Sequence, residues 1–146
     1  MEYSKATAAD ADLVIRLFEL RREPVMRQAR NWFMQFQPKT VDDVLKVANA
    51  YGTQENAYFR QITSFWETLV TLPLHQAVNR DLFVEWNGEF IFVYAKFYPF
   101  LAELREKMGN PGFLQRCEQL IAETPGLKEF ADTMVKRLAQ MAAARH

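Results

Sequence analysis

The chain has little of what most non-helical folds require. Five glycines and six prolines in 146 residues leave too few turn residues for the many short strands of an all-β fold. A single cysteine, Cys117, excludes an internal disulfide and a cysteine-ligated zinc, and it is consistent with a reducing compartment. There is no charge surplus either: 18 Lys/Arg balance 18 Asp/Glu, with a pI near 6.7. The basic field of a nucleic-acid binder is therefore missing. The longest apolar run, Phe90 to Ala95, ends at Lys96, far short of the ~18–20 residues a membrane span needs. The opening MEYSKATAADAD lacks the basic stretch followed by an apolar one that marks a secretory signal. These absences predict a soluble, cytoplasmic protein with neither a nucleic-acid nor a membrane partner.

Catalytic signatures are scarce as well. No Gly-x-Ser-x-Gly, phosphate-cradling glycine loop or dinucleotide fingerprint occurs. Glu67, Glu85, Glu89 and His75 are the residues from which a carboxylate metal site could be drawn. Helical di-iron sites use Glu-x-x-His pairs, which this chain lacks. A solvated stripe and a loop histidine are the plainer reading, and no cofactor is expected. Cys117 falls on an apolar helical seam, where cysteine behaves as a small hydrophobe. The segment 40–61 has the Ala48/Gly52 spacing of a helix-turn-helix and would offer Gln54, Asn56, Arg60 and Gln61 to a groove. Glu55 would then face phosphates, and no basic cluster supports the docking. Arg16, Arg21, Arg22, Arg27 and Arg30 alternate with Glu19 and Glu23, which reads as a solvated helix face.

What the chain does have is rings: 12 Phe, 5 Tyr and 3 Trp. Many lie in the stretch 79–108, which at about 100° per residue is apolar in nearly every direction. Only Glu85, Glu89, Lys96 and Glu103 form a polar stripe, within about 40° of one another. Such a helix belongs at the centre of a bundle. Asn87-Gly88 and Pro99 are the two points at which it can break or kink.

Around it, helical spacing predicts seams at Leu13/Val14/Leu17/Phe18, Val25/Ala29/Trp32/Phe33/Phe36, Val41/Val44/Leu45/Ala48/Tyr51 and Tyr58/Phe59/Ile62/Phe65/Trp66/Leu69. After the turn at 109–112 come Phe113/Leu114/Cys117/Leu120/Ile121, then Leu127/Phe130/Ala131/Met134/Leu138/Met141. The prediction is an all-α, single-domain bundle of six or seven helices spanning residues 1–146.

Phe65-Trp66-Glu67, Asp81-Leu82-Phe83, Lys96 with Pro99, Arg105, and Glu118 with Leu120 carry a resemblance over about residues 55–122. The chain resembles a family of small bacterial helical proteins known only as a domain of unknown function. Tyr94 and Cys117 stand where that family is expected to carry larger aromatics. The resemblance implies a helical fold and a bacterial origin, and it transfers no activity or catalytic residue.

The expected function is a non-catalytic helical module acting through protein contacts, as a homodimer. Its candidate interface residues are Phe92, Tyr94, Phe97, Tyr98, Trp66 and Trp86, because one helix points too many rings in too many directions to cover them all. The alternative is a small-molecule binder with a pocket among Trp66, Trp86, Tyr94 and Phe97.

Overall fold

Every regular element in the computed structural model, which describes residues 5–144, is a helix. In chain order they are α1 (Ala8–Arg21), α2 (Pro24–Gln35), α3 (Val41–Ala48), α4 (Gln54–Leu69), α5 (Thr71–Leu74), α6 (Arg80–Trp86), α7 (Glu89–Phe97), α8 (Leu101–Lys107), α9 (Gln115–Glu123) and α10 (Leu127–Ala144), with a 3-10 turn at Tyr98–Phe100. The protein is thus all-α, with more pieces than the expected six or seven helices.

Apart from the short α5, the extra pieces come from the central stretch, which breaks at both anticipated points. Asn87 leaves helical geometry (φ −132°, ψ 47°), and its buried amide donates back to the Phe83 carbonyl at 3.0 Å. Nothing lies within 4 Å of where a Cβ would stand at Gly88. No neighbouring backbone approaches closely at Gly88, and the departure from helical geometry is at Asn87. At Pro99 the missing N–H tightens the chain into the 3-10 turn before α8 resumes. Of the three pieces, α7 is the enclosed one. Phe90, Ile91, Val93, Tyr94, Ala95, Lys96 and Phe97 are all buried, and α4, α9 and α10 pack around them.

Local chemistry sets half of the helix starts. Thr7 and Asp10 form a capping box on α1, and Thr40 and Asp43 form one on α3. Pro24 occupies the first turn of α2 while Glu23 accepts the Met26 N–H at 2.9 Å. The seams hold with shifts of one position. Met26 is buried in place of Val25, and Tyr51 lies on the surface beyond the end of α3. On α10, Phe130 and Met141 point outward, and Leu127, Ala131, Val135, Leu138 and Ala142 make the inward edge. One continuous cluster joins the buried side chains of all the larger helices, from Val14 in α1 to Ala131 in α10.

The capping carboxylates make acid stability testable. Backbone hydrogen bonds hold Asp10, and likewise Asp43, below the ordinary value of 3.8. A carboxyl lowered by folding stabilises the fold above its unfolded value, and that contribution disappears as pH falls through the lower folded value. Asp10→Asn with Asp43→Asn should therefore flatten the loss of stability between about pH 5 and pH 2. Chemical denaturation across that range measures it, and an unchanged slope would remove these carboxyls from the acid response.

Candidate functional site

Many short helices mean many helix ends, each with backbone groups that no turn of that helix can satisfy. In this fold side chains from other helices reach those ends. Asn56, buried on α4, donates through Nδ2 to the carbonyls of Val47 (3.0 Å) and Ala48 (2.9 Å) at the end of α3. Arg80 donates to the Glu123 carbonyl at the end of α9 at 3.0 Å. Asp10 accepts the Asn79 N–H at 3.0 Å just ahead of α6.

Two of these devices use residues singled out as polar-stripe members. Lys96 is only 6% exposed. Its ammonium donates to the Phe33 carbonyl and, at 2.7 Å, to the Phe36 carbonyl at the end of α2. It also sits 4.1 Å from the Phe33 ring centre and 4.8 Å from that of Phe92. Glu89, at the first position of α7, accepts from Arg30 Nε at 3.0 and 2.8 Å and lies 2.7 Å from Arg30 Nη2. The same carboxylate accepts the Trp66 indole N–H at 3.0 Å. Glu85 and Glu103 remain exposed. The expected solvated stripe therefore does not exist: the break at Gly88 divides it, and its two middle members are internal clamps.

Beside this pair, Arg21 donates weakly to the Trp86 carbonyl at 3.4 Å, and its Nε is a buried donor without a hydrogen-bond partner. Burial, then the nearby Arg30 charge, holds the Arg21 guanidinium below its ordinary value, with Glu89 opposing. Part of the basic concentration on α1 and α2 is therefore structural.

Glu67 does the same work across α4 and α9. It accepts the backbone N–H groups of Arg116 (2.7 Å) and Cys117 (3.2 Å). The position preceding α9 is Leu114, buried and left-handed at φ 57°, with no side-chain oxygen to offer. Glu67 supplies the missing cap and suits the positive end of the helix dipole. Burial pushes the Cys117 thiol well up, and the adjacent Glu67 charge adds to the shift. Cys117 is buried in the seam, as its spacing predicted. Tyr94 is raised by burial and then by Glu118, which its hydroxyl meets at 3.4 Å.

The six residues named as interface or pocket candidates separate. Trp66 and Phe97 are wholly enclosed, Tyr94 is buried and Phe92 is partly buried against the core. Trp86 and Tyr98 keep 42% of their surface each. Trp86 meets Phe18 edge-on at 5.9 Å, and Tyr98 packs beside Tyr94 at 5.6 Å. Phe97 sits among Phe33, Phe36, Phe59 and Phe113.

Clefts among the described residues lie elsewhere. One of about 310 Å³ runs between Ala95, Lys96, Pro99 and Phe100 on one side and Val135 and Leu138 of α10 on the other. A more polar one of about 780 Å³ lies between α4 and the turn before α9, and a third of about 390 Å³ between Leu20, Met26, Phe65 and Leu69. None of the six candidate residues lines any of these three.

Among the described residues no group of three His, Cys, Asp or Glu side chains gathers in a way that could hold a metal. Two of the four helix-turn-helix candidates, Asn56 and Arg60, are in structural use. Asn56 faces inward onto α3 and accepts from Arg60 Nε at 2.9 Å. No described helix is long and apolar enough to cross a membrane.

The surface feature that sequence reasoning missed is on α10. Phe130 is 50% exposed and Met141 45%, with half-buried Met134 between them. Their spacing places all three within about 40° on the side of α10 next to its docked edge. The signal was present as an apolar face too wide for one neighbour.

No curated protein and no solved structure matches the chain. A family profile does match, over residues 6–124, well beyond the 55–122 stretch that carries the resemblance and ending just before α10. That profile is the Domain of unknown function (DUF4760), and the chain belongs to this family.

Proposed function

We propose that the protein is a non-catalytic helical module of the cytoplasm that acts through protein contacts and self-associates as a homodimer, the whole chain working as one domain. The observation that carries this reading is the outward apolar stripe of α10, Phe130, Met134 and Met141, beside an edge already docked on the body. Exposed apolar area arranged as a stripe is characteristic of an interface. The polar chemistry supports the same conclusion from the other side. Glu67, Glu89, Lys96 and Asn56 are each committed to a helix end or a part-buried ion pair. The buried thiol and the balanced charge suit a reducing interior without a polyanion partner.

Light scattering on the eluting protein across a concentration series tests the reading. The expected mass is twice that of the 17.1 kDa chain. A mass of one chain at the highest concentrations reached would overturn it.

A further inference from the structure

We propose that the cleft under the second half of α10 binds a small, mostly apolar molecule of about the size of indole, carrying one hydrogen-bonding group. The site goes beyond the self-association reading and does not depend on it.

The inward edge of α10 meets the body closely only at its start. Ala131 belongs to the core and Leu127 packs against it. Further along the same edge, Val135, Leu138 and Ala142 stay half-buried. What they face is the cleft of about 310 Å³, whose opposite wall is Ala95, Pro99 and Phe100. Three of the five α10 residues that line it are Ala139, Ala142 and Ala143, each with a single methyl group to offer. The helix therefore stands beside the body here without filling the space between.

Apolar walls with no partner atoms lose dispersion contacts that an apolar guest restores. An apolar cavity of about 150 Å³ is enough to take up a benzene ring, and 310 Å³ lies at the lower end of the range that small ligands occupy. The distribution of polar groups says what kind of guest fits. The side chains of Ala95, Pro99, Phe100, Val135 and Leu138 offer no hydrogen bond, whereas Gln37 and Lys39, just after α2, bring polar groups to the same cleft. An apolar body with one polar head matches that division, and a polyol would leave hydroxyls unpaired against the apolar walls. No Asp or Glu stands among the described lining residues, while Lys39 and Lys96 do, which disfavours a cationic head. Because α10 itself forms one wall, a partner helix cannot take its place without unseating it.

Indole is the probe, titrated into the native chain and followed by NMR. It should shift the signals of Ala95, Phe100, Val135, Leu138 and Ala142 with a Kd of about 1 mM or tighter, and leave Trp66 and Phe59 unchanged. No shift up to the solubility limit of indole, or shifts centred elsewhere, overturns the site. Glycerol at the same concentration should shift nothing in the cleft. An equal response to both compounds overturns the apolar assignment. Ala139→Leu with Ala142→Leu fills the space from α10, and should weaken indole binding at least about 10-fold while the melt stays at or above that of the native chain. A folded variant that binds indole as the native chain does overturns the site. Should this variant not fold, the positions of the shifts in the native chain decide alone. A native chain that proves monomeric removes the self-association reading and leaves this site standing.

Discussion

Lys96→Ala is expected to lower the stability of the fold by about 4 kcal/mol, a fall in the unfolding midpoint of about 8–16 °C for a domain of this size. Two effects oppose each other at this site. Taking an ammonium out of water costs several kcal/mol, and a substitution recovers that cost. Against it stand two charge-assisted hydrogen bonds to the Phe33 and Phe36 carbonyls and two ring faces, together worth about 4–8 kcal/mol in a dry site. The carbonyls decide the balance, because they stay behind. The end of α2 cannot turn them to solvent while Phe33 is held among Phe92 and Phe97. Lys96→Met separates the contributions, since it fills most of the space and removes the ammonium with its hydrogen bonds and ring contacts. Its expected cost is about 2 kcal/mol, the remainder in the alanine variant being lost packing. Denaturant melts of the two variants measure both numbers. A methionine variant as stable as the native chain would mean that the buried ammonium contributes nothing net, and the capping account of α2 would be wrong.

Why Lys96 could not be read correctly from the sequence is instructive about the whole chain. Its partners lie 63 and 60 residues away, and the helical wheel that grouped it with Glu85 and Glu103 assumes one unbroken helix. Glu67 presents the same difficulty, its partners Arg116 and Cys117 being 49 and 50 residues distant. Signals confined to one turn were legible. The breaks at Asn87-Gly88 and Pro99 depend on chemistry within four residues. The burial of α7 was legible for another reason. A segment apolar on every side has one stable place, whichever neighbours supply the cover. The α10 face lies between these cases. Leu127 to Met141 reads as one broad seam, and only docking on α7 and α9 decides that Ala131 goes in while Phe130 stays out. The proposed contact surface was therefore visible in composition and invisible in assignment.

The pair formed by Glu89 and Arg30 should show the second large effect. Glu89→Ala is expected to cost about 3 kcal/mol, because it strands two groups at once. Arg30 loses the only carboxylate its guanidinium meets among the described ion pairs, and it remains near the partly buried Arg21 charge. Trp66, fully enclosed, loses the acceptor of its indole N–H. Glu89→Gln keeps an oxygen for the indole and removes the charge, so its cost should be smaller, about 1–2 kcal/mol. Arg30→Met alone leaves a carboxylate that still holds the Trp66 N–H and stands at the favourable end of α7. It should therefore be milder than Glu89→Ala. Adding Arg30→Met to Glu89→Ala removes the stranded cation, and the double variant should regain part of the loss. A double-mutant cycle from urea melts reads the coupling directly. Simple additivity of the two losses would show that the two charges contribute independently and that the pair adds no coupling.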